Sequence, residues 1–269
     1  MECFNTYIDA FIYDKPILIT KLCPIGCGSS SCVYSFKYNH YVYALKVPKS
    51  YNEHEIMNLI HELIILRSIN HKNIATPIGY FINLFTIIFE YGTSLRKMIK
   101  AINARHCLKI MLDILNGLRY LHEVNIVHGD LKPDNIIITN GVAKIIDFSI
   151  ALKTITYSKS LDILYGYVFT ACTPGYCAPE QVHPELALHV LKHDLTYKID
   201  IYQAGLLLYE CLTKSSINMP EMFDGDAMEN KLKKIQNESI KRLLQQMLSV
   251  KAEYRPSIDE VINVLVNAY

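Results

Sequence analysis

Short alternations of apolar and polar positions fill the first third of the chain, and apolar positions three and four apart dominate the rest. Residues 17–22, 33–38 and 41–47 are rich in Ile, Val and Tyr, separated first by a Gly/Ser-rich stretch and then by Asn39-His40. That spacing predicts successive antiparallel hairpins. Ile56, Leu59, Ile60, Leu63 and Ile64 fall on one helical face, so a helix is expected over about 53–68, and a strand pair over about 76–90. After Thr93 the pattern turns to amphipathic helices over 95–102 and 106–124. Two short strands, 135–139 and 143–148, flank an Asn140-Gly141 turn. An irregular stretch then runs to about Pro184, and helices are predicted near 200–213 and 258–268. The pattern predicts an α+β chain of two lobes, a small antiparallel sheet with one main helix and a larger helical lobe. The expected boundaries are an N-terminal extension over 1–16, a small lobe over 17–89, a connector over 90–94 and a large lobe over 95–269.

A length of 269 residues suits one domain of two packed lobes and leaves little room for accessory modules. Lys plus Arg number 27 against 26 Asp plus Glu, a formal charge of +1, which argues against a general polyanion binder; no direct nucleic-acid binding is expected. No apolar run approaches the ~18 residues of a membrane span, and the N-terminus lacks a leader pattern. The 8 cysteines show neither zinc-type CxxC pairs nor the density of a disulfide scaffold. They read as reduced thiols of an intracellular protein, in cytoplasm or nucleus.

Candidate chemistry gathers in a few places. Gly26-Cys27-Gly28-Ser29-Ser30-Ser31 lies between two predicted strands, where glycine lets backbone N–H groups approach phosphate oxygens. A strand then ends in Ala44-Leu45-Lys46. The strongest signal is His128-Gly129-Asp130-Leu131-Lys132-Pro133-Asp134-Asn135, followed by Asp147-Phe148-Ser149. Phosphoryl transfer needs one carboxylate to orient the attacking hydroxyl and further oxygens to hold a metal on the phosphates. A loop with Asp130 and Asn135, joined by a hairpin to Asp147, supplies both.

With these motifs the chain resembles the eukaryotic-type protein kinases of the serine/threonine class, from about residue 17 to the end. The resemblance implies the two-lobed kinase fold, with ATP and Mg²⁺ (Mn²⁺ as an alternative) and protein substrates. It implies a catalytic set of Asp130 as base, Lys132 as neutraliser of the transferred charge and Lys46 on the nucleotide phosphates. The nucleotide set would be Ile25, Gly26, Cys27, Gly28, Val33, Ala44, Lys46, Glu62, Glu90, Gly92, Ser94, Asn135, Ile137 and Asp147, with Asn135 and Asp147 as metal ligands. Glu62 is the implied ion-pair partner of Lys46, in preference to Glu53 and Glu55. In Thr173-Pro174-Gly175-Tyr176-Cys177-Ala178-Pro179-Glu180, Thr173 should bond near Asp130 and Lys132. Glu180 should pair with Arg255, and Asp200 should hold the catalytic-loop backbone. His128, Phe148 and Leu66 read as packing residues.

Three positions depart from the family pattern. Ser31 stands for the third loop glycine, Ser149 for the glycine after Asp-Phe, and Gly129 for an arginine that pairs with a phosphorylated activation segment in many members. Activity independent of such phosphorylation is therefore expected. His-Gly-Asp is also the form seen in aminoglycoside and choline phosphotransferases, the enzymatic rival; an ATP-binding scaffold is the non-enzymatic one. Asp134 and Glu210 match positions that contact substrate arginines in basophilic members, against the plainer reading that Glu210 packs on its helix and Asp134 is solvated. Nineteen Tyr with no Trp suggests AT-rich coding. In its compactness the chain resembles the kinases of insect baculoviruses, which implies basic, arginine-rich substrates and a virus-encoded origin; oligomeric state is not implied.

Overall fold

The computed structural model describes residues 2–12, 15–81, 85–154, 172–192, 196–217 and 224–269. The chain folds into two compact units, one of residues 1–93 with 146–149 and one of residues 94–145 with 150–269.

The first unit is built on a six-stranded sheet with one helix. Its strands are β1 (Phe4–Ile12), β2 (Lys15–Cys27), β3 (Ser31–Tyr38), β4 (Tyr41–Pro48), β5 (Pro77–Phe81) and β6 (Thr86–Glu90). They lie in the order β1-β2-β3-β4-β6-β5, antiparallel throughout. Asn39 and His40 both adopt positive φ, the geometry of a two-residue turn matching strand twist, and Tyr38 pairs with Tyr41 across it. Helix α1 (Glu53–Arg67) starts at Asn52, whose side chain accepts from the Glu55 N–H. Ala10, Ile12, Ile17, Ile19, Leu22, Phe36, Leu45 and Ile88 form one buried cluster.

Residues 4–12, read from sequence as part of an extension, thus supply the first strand and two members of that cluster. The two edge strands also meet: a Cβ at Gly79 would run into the Phe11 carbonyl, so only glycine permits this approach.

Six of the eight cysteines, expected as reduced thiols, stand in three S–S pairs: Cys3–Cys23, Cys27–Cys32 and Cys172–Cys177. For two of the pairs the sequence expectation fails because strand register brings the cysteines together, whereas Cys172 and Cys177 meet across the Thr173–Tyr176 turn. Cys27 faces Cys32 directly in the β2–β3 pairing, and Cys3 and Cys23 adjoin the Phe4–Leu22 pair. Cys107 and Cys211 are free and buried.

The chain enters the second unit within β7 (Thr93–Ser94), which leads into α2 (Leu95–Met98) and the long α3 (Ala104–Glu123). Next come β8 (Ile126–Val127), a 3-10 turn at Pro133–Asn135, and the hairpin β9 (Ile136–Thr139) and β10 (Val142–Ile145). Asn140 and Gly141 both take positive φ between them, as the Asn-Gly signal requires. After β11 (Leu152–Lys153) come α4 (Pro179–Val182), α5 (Pro184–Lys192), α6 (Lys198–Thr213), α7 (Gly225–Leu232), α8 (Glu238–Met247) and α9 (Ile258–Ala268). Helix α6 is buried continuously from Lys198 to Cys211 and packs on α3, which also carries α9. An all-round buried helix explains why its apolar pattern shows no clean face. Among the described residues no helix is long and apolar enough to cross a membrane.

Candidate active site

In the first unit β4 carries Lys46 to a buried position. Its ammonium meets Glu62 Oε2 of α1 at 2.5 Å and Asp147 Oδ1 at 2.9 Å. Glu62 lies nine residues into α1, on its buried side, and its second oxygen accepts the Phe148 N–H at 3.2 Å. Glu55, two helix turns too early, instead accepts from the Ser50 N–H and hydroxyl near the helix start. Burial alone would lower the Lys46 pKa, but the Asp147 and Glu62 carboxylates outweigh it and hold the ammonium above the ordinary lysine value. Asp147 itself has φ +66, a left-handed conformation uncommon for a non-glycine residue.

The glycine-containing turn between β2 and β3 is exposed at Cys27, Gly28 and Ser29. Gly28 donates its N–H to Ser31 O at 2.8 Å, so that donor is committed within the loop, and the Cys27–Cys32 bond closes the loop's base. Ile25, Gly26, Val33, Ala44, Glu90 and Gly92 are half-buried in the same unit.

In the second unit the loop after β8 presents Asp130. Its Oδ1 accepts the Thr173 hydroxyl at 2.7 Å and the Thr173 N–H at 3.2 Å. Its Oδ2 accepts the Lys132 ammonium at 2.6 Å and the Asn135 amide at 3.0 Å. Lys132 also donates to the Thr173 hydroxyl. Thr173 is placed by a tight turn in which Pro174 leads, Gly175 takes φ +89 and Tyr176 N–H returns to Thr173 O at 2.9 Å. Ile137 is buried on β9. Ser94 caps α2, its hydroxyl accepting the Arg96 N–H and donating to Pro133 O.

What holds this loop is a set of uncharged amides and one buried carboxylate. Asp200 accepts the backbone N–H groups of His128 at 3.0 Å and Gly129 at 2.8 Å, and His122 Nε2 lies 2.8 Å from it. Burial alone would raise the Asp200 carboxyl; these partners pull it below the ordinary aspartate value. Gln203 Oε1 accepts the Leu131 N–H at 2.7 Å, while the Gly129 carbonyl accepts from Gln203 at 2.8 Å and Gln181 at 2.9 Å. Gly129 needs glycine for its φ of +77 rather than for space, since a Cβ there would make only ordinary contacts. Glu180 and Arg255 pair through both oxygens, at 2.6 and 2.7 Å.

The expected pairs of Lys46 with Glu62 and Glu180 with Arg255, and the expected bonds of Thr173 and Asp200 to the loop, are present, and His128, Phe148 and Leu66 are buried. The sequence reading missed Gln181 and Gln203. Their signal was position: Gln203 sits one helical turn after Asp200 and Gln181 directly follows Glu180. The expectation about phosphorylation of the segment after Asp147 falls largely on 155–171, outside the described residues.

Residues 19–265 match the family profile described as "Protein kinase domain". The chain is 28% identical over 246 residues to a probable cell division protein kinase of Encephalitozoon cuniculi, covering 81% of this chain and 85% of that protein. It is 33% identical over 224 residues to a probable serine/threonine-protein kinase, an MRK1 homolog, of the same organism, covering 78% and 63%. To the probable serine/threonine-protein kinase PknB of Bifidobacterium longum it is 38% identical over 133 residues, covering 47% of this chain and 18% of that one.

Proposed function

The chain belongs to the protein kinase family, and we propose that it is a serine/threonine kinase moving the γ-phosphoryl group of ATP to a hydroxyl of a protein. The observation that carries this reading is the Asp130 carboxylate, oriented at both oxygens by Thr173, Lys132 and Asn135.

Asp130 orients the acceptor hydroxyl and takes its proton as the acceptor oxygen bonds to the γ-phosphorus and the bond to the β–γ bridging oxygen breaks, releasing ADP. Lys132 offsets charge on the transferred group. Lys46, kept charged and braced by Glu62, holds phosphate oxygens. Asn135 turns its amide nitrogen to Asp130, which leaves its carbonyl oxygen for a cation, and Asp147 carries a part-exposed carboxylate; each is a hard-oxygen donor of the kind that Mg²⁺, or Mn²⁺, takes. A metal held there would neutralise charge on the phosphates. Activity does not await phosphorylation of the 149–180 segment, because Gly129 offers no guanidinium to receive it. The use of ATP favours a place inside cells, in cytoplasm or nucleus, although the three S–S pairs are unusual for such reducing compartments.

Transfer of label from γ-labelled ATP with Mg²⁺ tests the reading, with a protein substrate and a panel of aminoglycosides and choline offered together. Label should enter Ser or Thr of the protein, vanish with Asp130→Asn and Lys46→Met, and survive phosphatase treatment of the kinase. Gly129 favours one rival, which label in a small molecule would establish. ATP binding without transfer would instead leave a docking scaffold.

A further inference from the structure

Thr173, which bonds both the base and Lys132, sits inside a covalent ring. Cys172 precedes it, Cys177 closes the turn that follows it, and their sulfurs are joined with the Cα atoms 5.3 Å apart. The ring encloses the whole Thr173–Tyr176 turn, whose backbone is tied within itself by the Tyr176 N–H to Thr173 O. Cys177 Sγ also lies 3.2 Å from Thr173 O. The two ends of the ring differ in how they are held. Cys177 is 2% exposed and runs into α4, where the Ala178 N–H donates to Gln181 Oε1, Gln181 donates to the Gly129 carbonyl and Glu180 is locked on Arg255. Cys172 is half-buried, and the sulfur bond ties it to that anchored end.

We propose that the Cys172–Cys177 bond is a positioning element of the reaction: it holds Thr173 on Asp130, so the thiol–disulfide state of this pair sets the turnover rate. The inference rests on the kinase reading. Thr173 donates its N–H and its hydroxyl to Asp130 Oδ1, and the same hydroxyl accepts from Lys132. Those bonds need the turn to keep its shape, and a short closed ring removes most of the conformers open to the free segment. A dithiol reductant opens it. One thiolate of the dithiol attacks Cys172 Sγ, at the less buried end, and the S–S electron pair leaves on Cys177, which takes a proton. The second thiol of the reductant then displaces Cys172 as a thiol and closes the reductant's own disulfide, so two electrons and two protons pass to the pair. With the ring open, Asp130 loses a fixed partner at Oδ1 and the base wanders, which costs rate. Nucleotide affinity is spared, because Lys46 and Gly28 belong to the other unit. In a reducing compartment the pair is open and the enzyme slow; an oxidising shift closes it.

Steady-state kinetics of the full chain purified without reductant test this, before and after dithiothreitol and again after reoxidation by oxidised dithiothreitol, with alkylation and mass spectrometry scoring the 172–177 peptide. Turnover should fall on the order of tenfold on reduction and return on reoxidation, with KM for ATP held within about twofold. Dithiothreitol also opens Cys3–Cys23 and Cys27–Cys32, so variants that melt cooperatively make the assignment. Cys172→Ser/Cys177→Ser should have the reduced rate from the outset and lose the tenfold response. If it does not melt cooperatively, Cys172→Ser alone, at the half-buried end, takes its place. Thr173→Ala should lose the response too, whereas a bond that merely stabilised the fold would keep its effect there. Amide exchange at Thr173 and Tyr176 reads the same positioning without phosphoryl transfer, and protection should fall on reduction. Free thiols at 172 and 177 before treatment, a full response surviving in either variant, or a change in KM alone would overturn the proposal. Should no form transfer phosphate, the kinase reading fails by that result, while the exchange comparison still decides whether the bond holds Thr173.

Discussion

A buried ion pair stands in each unit, Lys46–Glu62 in the first and Arg255–Glu180 in the second, and the two differ in what remains for them to do. Arg255 and Glu180 have side chains 0% and 1% exposed, and the guanidinium spends its other N–H groups on the carbonyls of Ser249, Lys198 and Val250. Every donor is satisfied within the fold, so the pair has no capacity for a ligand. Lys46 is nearly as buried, yet it shares its charge between Glu62 and Asp147, whose side chain is 33% exposed. A saturated pair is a structural tie, whereas a shared ammonium backed by a part-exposed carboxylate can still engage a ligand.

The largest expected effect breaks the saturated pair. Glu180→Ala leaves a buried guanidinium without its carboxylate and should cost about 3–5 kcal/mol in urea denaturation, a large share of a domain's stability. Glu62→Gln should act on the other axis. Activity should fall on the order of 100-fold, about 2.7 kcal/mol, with little change in the urea midpoint because Asp147 still faces Lys46. Equal loss of stability in the two variants would erase the distinction. Gln203→Leu sharpens it from the uncharged side: it orphans the Leu131 N–H and should cost about 2 kcal/mol by the same measurement. Gly129→Ala should be smallest, about 1 kcal/mol, from the left-handed backbone alone.

Which of these were legible in the sequence follows from how each contact is made. Lys46, Asp130, Asn135, Asp147 and Thr173 sit in short motifs whose residue types and order are themselves the signal, and Glu62 is reached by counting along one helix. Hairpin turns at Asn39-His40 and Asn140-Gly141 were equally readable, since positive φ demands those residues. Arg96 was not, because its partners Asp134, Tyr176 and Glu210 lie 38, 80 and 114 residues away and its own neighbourhood reads as an ordinary basic helix. Cys3–Cys23 and Cys27–Cys32 were missed for a related reason: register is a property of two strands, and no spacing within one reveals it.

The strand at 4–12 has a practical consequence for anyone choosing where to cut this gene for expression. Similarity to the family begins at residue 19, yet β1 pairs along β2, and its Phe11 comes against Gly79 on the far edge of the sheet. A clone started at 19 would lose Ala10, Ile12 and Ile17 from the buried cluster, bare one long strand edge, and give insoluble protein. The border that homology draws therefore falls inside the sheet, between β1 and most of the strand it pairs with.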